Sequence, residues 1–170
     1  STLKVGTIQD HANSNTAINI DSAGRVALPQ NPFLICNCTG NNATVTPSGY
    51  TGLVPFQNVI NSRGIVLNTS TYLWTVPVTG LYNISAAVRL NSNYDYLYWT
   101  IDDRTGSPAR LQPDKLVLSH GAAATFTTCV GSVLHLLETG KSYGMSVAGS
   151  LSAADGIDDA QSWMDIHLVG

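Results

Sequence analysis

The chain has 170 residues, a formal net charge of −3 at pH 7 and only 11% charged residues. Its length suits one domain of ordinary size with at most a short appended segment, and no apolar run approaches the ~20 residues of a membrane helix. The small net negative charge provides no basic surface for nucleic acid, so we expect no nucleic-acid binding. Because no long apolar run is present, we also expect no membrane insertion. So few charges indicate that much of the surface is covered, most simply by other copies of the chain.

The first 30 residues differ from the rest because they consist of short polar pieces. Two short strands are predicted over residues 17–20 and 25–28, with a turn over residues 21–24 between them. This material has too few apolar side chains to bury a core alone, so it must dock on the main body or on neighbouring chains, or stay loose. We therefore expect a stalk or docking segment over residues 1–30 and a main domain over residues 31–170.

From residue 33 onward the pattern is that of strands. Strands are predicted over residues 33–38, 54–60, 65–67, 72–76, 81–90, 94–102, 116–119, 125–137, 142–148 and 161–169. Residues 39–52 and 102–111 are predicted to be loops, and Asp102 and Asp103 are expected to be solvated there. No window shows a sustained helical stripe. Short strands separated by Gly, Pro and Asn turns indicate an all-β sandwich or jelly roll.

The longest alternation lies in the strand over residues 81–90. Tyr82 and Ile84 belong to one face, whereas Asn83, Ser85 and Arg89 belong to the other. Period two over so long a run is typical of a half-buried strand in an antiparallel sheet. The Tyr82 face is therefore predicted to be core.

A second alternating strand, over residues 94–102, carries the candidate surface for recognition. Its one face has Leu97, Trp99 and Ile101, and its other face has a row of tyrosines, Tyr94, Tyr96 and Tyr98. Tyrosine suits recognition because its ring is large and stiff and carries a polar tip. The row is expected either to offer a stacking surface to a sugar or protein, or to pack under the loop over residues 39–52.

The three cysteines, Cys36, Cys38 and Cys129, are an odd number and do not form a disulfide framework. Cys36 and Cys38 would share a face of one strand, where they are poorly placed to bridge each other. We interpret them as buried free thiols. A zinc site would need further Cys or His at fixed spacing, and none is nearby.

Three stretches, in this order, resemble the globular domain of the complement C1q and tumour-necrosis-factor superfamily. The first joins Trp74 to Gly80-x-Tyr82-x-Ile84, with Ile84 where that family usually has Phe. The second covers residues 131–143 and the third residues 162–169. The resemblance implies a ten-strand jelly roll that forms a compact homotrimer, and it supplies no catalytic residues.

The same resemblance implies which residues lie between subunits, because the inner sheet of such trimers faces the threefold axis. The outward side chains of the strand over residues 81–90 would then meet neighbouring subunits, together with side chains of the last strand. The candidate trimer interface is Asn83, Ser85, Arg89, Asp165 and His167.

Residues 17–33 are similar to a segment found in bacteriophage tail-fibre and other virion proteins, just before a C1q-like tip. This resemblance implies a virion surface location, with other virion fibre proteins and a host cell-surface glycan or protein as partners. We therefore expect a non-enzymatic head that mediates host attachment. The alternatives are a domain that only drives or caps trimerisation of a fibre, and a secreted, extracellular C1q-like lectin. A polysaccharide-cleaving enzyme is a further class without a positive signal.

The remaining ionisable residues predict no catalytic set, no metal site and no cofactor. Of the scattered histidines, His11, His120, His135 and His167, His135 is interpreted as a hydrogen-bonded sheet histidine. Three copies of His167 near a threefold axis could hold an ion or a water. The acidic run over residues 155–159 lacks the order of a calcium loop and is interpreted as solvated.

Overall fold

The structure, a computed structural model, describes residues 5–9, 16–28, 30–39, 44–47, 52–92, 94–111, 126–150, 154–158 and 161–169. These residues form the strands β1 (Thr7–Gln9), β2 (Thr16–Ile20), β3 (Val26–Ala27), β4 (Phe33–Cys38), β5 (Thr44–Val45), β6 (Phe56–Arg63), β7 (Val66–Asn68), β8 (Leu73–Thr75), β9 (Gly80–Leu90), β10 (Leu97–Asp103), β11 (Ala109–Arg110), β12 (Thr127–Leu137), β13 (Tyr143–Gly149), β14 (Asp155–Gly156) and β15 (Trp163–Leu168). Within these ranges no helix is long and apolar enough to span a membrane.

The chain divides into two compact units, Ser1–Asn31 and Pro32–Gly170. In the first unit, β1, β2 and β3 form a small antiparallel sheet. The turn predicted over residues 21–24 is present: the N–H of Gly24 donates to the carbonyl of Asp21 at 2.9 Å, and Gly24 has φ 77°. A residue other than glycine would be strained at this φ.

The second unit is built on two five-stranded antiparallel sheets. Sheet A has the strand order β12-β9-β15-β4-β6, and sheet B has the order β11-β10-β13-β8-β7. A two-stranded ladder of β14 and β5 is additional. The prediction of an all-β sandwich is therefore confirmed.

One apolar core lies between the two sheets. The residues Tyr82, Ile84, Ala86, Val88 and Leu90 of β9 are fully buried in it, which confirms the predicted core face of that strand. Sheet B contributes Trp74, Trp99 and Tyr143 to the same cluster. Large buried aromatics of this kind contribute much of the apolar area that stabilises a sandwich.

The strand predicted over residues 94–102 and the loop predicted over residues 102–111 have different bounds in the structure. The strand predicted over residues 94–102 is β10, which begins at Leu97 and extends to Asp103. Asp102 was expected in a solvated loop, but it is a fully buried member of this strand. The strand predicted over residues 116–119 lies outside the described residues.

Candidate functional site

The side chains of sheet A alternate between the core and the surface, and the strand register aligns the outward ones in rows. One row is Leu134, Asn83, His167 and Phe33; the next is Ser132, Ser85, Asp165 and Ile35; a third is Val130, Ala87, Trp163 and Asn37. Together with Leu81, Arg89, Thr128 and Leu136, these residues are called the outward face of sheet A. Four of the five candidate interface residues of the sequence lie side by side on it, in two adjacent rows.

Large apolar side chains are exposed on the outward face of sheet A. They are Leu81, Val130, Leu134, Leu136 and Trp163. Three of them alternate along β12, at the edge of the sheet. Scattered exposed apolar residues are normal on a surface, whereas a contiguous patch marks an interaction site. The sequence prediction did not include these residues, although the period-two alternation of β12 could have indicated them.

A closed ring of hydrogen bonds joins β9 to the edge strand β12 on this face. The Nδ2 of Asn83 donates to Oγ of Ser85 (3.1 Å), Ser85 donates to Oγ of Ser132 (3.0 Å), and Ser132 donates to Oδ1 of Asn83 (2.7 Å). Each of the three side chains is thus both donor and acceptor. Because polar groups can be buried at low cost only when they are hydrogen-bonded, this ring could be covered by another chain without losing its partners.

Asp165 and His167 lie beside this ring on the neighbouring strand β15. Asp165 is opposite Ser85 in the register, and His167 is opposite Asn83. Their side chains are half-exposed, with Nδ1 of His167 3.7 Å from Oδ1 of Asp165. The pair is therefore accessible to a partner.

Arg89, the fifth candidate interface residue, lies at the end of the face and already has partners in its own chain. Its Nε is 3.5 Å from a carboxylate oxygen of Asp158, and its guanidinium lies 4.1 Å from the ring centroid of Phe126. The charge that the sequence left without a partner is thus paired by an acid and an aromatic ring, both distant in sequence.

The prediction of a surface row of tyrosines on the second alternating strand is wrong for Tyr94. Its side chain is 1% exposed and belongs to the core, because β10 begins only at Leu97 and the alternation does not extend back to Tyr94. Its hydroxyl donates to Asp155 at 3.0 Å. Burial and this carboxylate raise the pKa of Tyr94 well above its usual value.

Tyr96 and Tyr98 remain at the surface as a pair. Their rings are nearly parallel, with an interplanar angle of 15° and centroids 6.4 Å apart. The guanidinium of Arg110, on β11, lies 5.7 Å from the ring centroid of Tyr98. Arg110 was not predicted, because the short hairpin that brings it beside Tyr98 lies in the stretch interpreted as a loop.

Two further ionisable side chains, those of Asp155 and His135, lie at least partly inside the second unit. Asp155 accepts hydrogen bonds from Tyr94 and from the backbone of Ser92. His135 is buried on the core side of β12. Its Nε2 has no hydrogen-bond partner in the described part of the chain, so the prediction of a hydrogen-bonded histidine is wrong for this nitrogen. Burial lowers the pKa of His135.

The described residues contain no group of three or more His, Cys, Asp or Glu that could hold a metal ion. His11, His120 and Asp159 of the sequence interpretation lie outside the described ranges.

None of the three cysteines forms a disulfide, and all three are buried, as predicted. Burial raises the pKa of Cys36 well above its usual value, and it raises that of Cys129 to about 12. Such thiols are protonated and inert near neutral pH, so they add no nucleophile to the surface.

Comparison with known proteins places the fold. No family model and no curated protein matches the sequence. Among solved structures, murine APRIL at pH 8.0 is similar with a TM-score of 0.58 and 12% identity over 82% of this chain and 99% of that one. The globular domain of zebrafish complement 1qA protein gives 0.58 and 12% over 82% and 98%.

The Eiger TNF of S. frugiperda is similar with a TM-score of 0.56 and 13% identity, over 82% of this chain and 94% of that one. The fold is TNF/C1q-like. This confirms the jelly-roll resemblance that the sequence motifs indicated around Trp74 and Tyr82. At such low identity the likeness establishes the TNF/C1q-like fold alone.

Proposed function

We propose that this chain is a non-enzymatic, homotrimeric head with a TNF/C1q-like fold, and that it forms the tip of a virion fibre, spike or appendage. The head attaches to a receptor or glycan on a host surface, and other fibre proteins continue the appendage. The outward face of sheet A carries the proposal, because exposed apolar side chains surround a polar cluster whose members are already hydrogen-bonded to one another.

The composition of that face suits contact between subunits. Leu134 and Leu136 contribute apolar area on β12, and Trp163 contributes it on β15. Burying such area is favourable by ~25 cal/mol per Å². The ring of Asn83, Ser85 and Ser132 keeps its hydrogen bonds when it is covered, so the polar cluster does not oppose association and can fix the register of the subunits.

The first unit supports the same proposal. Its side chains Ile8, Val26 and Leu28 are exposed, and among the residues of this unit whose burial the structure describes none is buried. A three-stranded sheet of this size cannot form a core by itself. Association of the three copies around one axis would cover these side chains and produce a stalk.

Attachment by a trimer gains from multivalency. Three weak sites on one rigid head raise the effective concentration of the second and third contacts, so avidity exceeds the affinity of each site. The same geometry also serves a domain that only caps a fibre, and the similarity to the complement 1qA globular domain keeps an extracellular C1q-like lectin as the second candidate.

The proposal is tested first by mass. Light scattering of the full chain is expected to give three times the 18.0 kDa chain mass. Leu136→Glu, which places a charge on the outward face of sheet A, is expected to lower that mass. Val66→Glu is the matched control, because Val66 on β7 of sheet B is 63% exposed and Leu136 is 62% exposed.

A monomeric mass for the unaltered chain at micromolar concentration would overturn the trimer. If the chain is a trimer, binding of labelled protein to host cells distinguishes a role in attachment from a role in capping a fibre. An intact trimer that binds no host surface would leave only the capping domain.

A further inference from the structure

We propose that His135 makes β12 an edge strand that opens in acid, and that this opening weakens the association of subunits. The regulated surface is the outward face of sheet A. The opening of the strand is a property of the single chain, whereas its effect on association rests on the trimer proposed above.

His135 is a polar residue on the core side of β12. It is 4% exposed, and its neighbours on that side of the strand, Val133 and Leu137, belong to the apolar cluster. Its Nε2 atom has no hydrogen-bond partner in the described part of the chain. An imidazolium at this place would be a buried charge without a partner, which costs far more than a neutral ring.

The charges around His135 do not compensate for an imidazolium. Both nearby acids are already paired with the same lysine, Lys141. Burial lowers the pKa of His135, and no nearby charge counteracts it. The titratable groups near this end of β12 are Tyr82 on β9, Asp103 on β10, Tyr143 on β13, and Glu138 and Lys141 in the turn that follows β12.

The position of His135 on an edge strand connects its charge to the outward face of sheet A. Among the described residues, β12 pairs with one strand only, β9. Successive side chains of a strand point to opposite faces, so the two neighbours of His135 point outward. They are Leu134, which is 51% exposed, and Leu136, which is 62% exposed. A rotation or detachment that brings His135 into water therefore removes both leucines from that face.

Acid favours the open strand, because the imidazolium is hydrated only there. An imidazole in water takes up its proton near pH ~6.5, whereas burial lowers the pKa of His135 in the closed strand. The closed strand is therefore fully favoured above about pH 7, and this preference is lost as the pH falls below about 6.5. Because Leu134 and Leu136 belong to the proposed subunit contact, the open form associates less tightly.

The test compares the full chain at pH 7.5 and at pH 5. Light scattering over a concentration series is expected to show stronger dissociation at pH 5, by at most about 30-fold per chain, since each pH unit below 6.5 changes the equilibrium by no more than tenfold. Hydrogen exchange, expressed as protection factors, is expected to show lower protection of the β12 amides around His135 at pH 5. The amides of β15, inside the same sheet, are the reference.

Variants of two histidines identify the titrating group. His135→Leu carries no charge at pH 5, so both effects are expected to disappear. His135→Gln, which is also uncharged but polar, is expected to give the same result and separates the loss of charge from a change in packing. His167→Gln is the matched control, because it removes the half-exposed histidine of the outward face that lies 3.7 Å from Asp165. It is expected to keep both effects.

Equal pH dependence in the unaltered chain and in His135→Leu would overturn the acid-sensitive edge, and so would a loss of the pH dependence in His167→Gln instead. A trimer whose mass and β12 protection are the same at both pH values contradicts the acid-sensitive edge and leaves the trimer intact. A monomer at pH 7.5 contradicts the trimer and the effect on association. In that case the protection of the β12 amides still decides whether the strand opens in acid.

Discussion

Arg104 and Asp102 form an ion pair within sheet B, with Nη2 of Arg104 2.8 Å from Oδ2 of Asp102. The carboxylate of Asp102 is completely buried, and it also accepts hydrogen bonds from the hydroxyls of Thr100 and Ser146. Arg104 donates to Ser146 as well, at 2.8 Å. The pair therefore ties the end of β10 to β13 through a network of four side chains.

Removal of Asp102 is expected to be strongly destabilising. Asp102→Ala leaves the guanidinium of Arg104 without its counterion in a buried site, and breaking such a pair costs about 3–5 kcal/mol. The control is Asp103→Ala, because the pair of Asp103 with Lys141 is partly exposed and worth at most about 1 kcal/mol. Urea unfolding measures both free energies. Equal stabilities of the two variants would contradict the role of the buried pair.

The buried His135 predicts a stability that depends on pH. Burial lowers the pKa of His135 in the folded state below the usual value of about 6.5, so the unfolded chain takes up a proton at a higher pH than the folded chain. The free energy of unfolding should therefore fall as pH decreases from about 7 through 6.5 towards the folded pKa, by up to ~1.4 kcal/mol per pH unit.

Replacement of His135 tests this dependence directly. In His135→Leu the fall of the unfolding free energy between pH 7 and the folded pKa of His135 is expected to disappear. His167→Gln, at a half-exposed position, is expected to keep it. Unfolding in urea at pH 7, 6 and 5 gives the difference between each variant and the unaltered chain. A slope that is the same in His135→Leu would show that another group titrates.

The hydrogen-bonded ring on sheet A predicts that its loss weakens the association of subunits. Ser132→Ala removes both the donor to Asn83 and the acceptor for Ser85, so these two side chains lose partners in the subunit interface proposed above. We expect the trimer to be weaker by about 1 kcal/mol per subunit. The concentration dependence of the mass, measured by analytical ultracentrifugation, reports this directly. Ser70→Ala, in an exposed turn, should leave the dissociation unchanged.

The exposed apolar residues of the first unit predict that this unit contributes to assembly. Val26→Asp places a charge where copies are proposed to meet and is expected to lower the thermal stability of the trimer. Ser22→Asp adds the same charge in the exposed turn of that unit and serves as the control. If both variants melt like the unaltered chain, the first unit does not associate through this strand.

The sequence was most informative where one strand is long and one of its faces is buried. The alternation of Tyr82 and Ile84 with Asn83 and Ser85 predicted β9 almost to the residue, because period two is a local property of a half-buried strand. The alternation predicted to include Tyr94 failed there, because β10 begins only at Leu97 and the local pattern does not reveal where the strand starts.

The candidate interface could be predicted only in part. Ser85, Ser132 and Asp165 lie in one row although they are far apart in the chain, and no local pattern fixes which strands become neighbours. The buried pair of Asp102 and Arg104 was missed for a related reason. Three consecutive charged residues followed by Thr and Gly have the composition of a solvated loop, and only the packed sheet provides the hydroxyl of Ser146.

The buried thiols make the protein well suited to site-specific labelling. Burial raises the pKa of the Cys129 thiol to about 12, so this thiol is protonated at pH 7. Cys36 and Cys38 are also enclosed in the core. A maleimide dye should therefore leave the folded native chain unlabelled and react at a single cysteine introduced at Leu136 or Tyr96. Energy transfer between a donor-labelled and an acceptor-labelled chain would test the proposed assembly without replacement of a native cysteine.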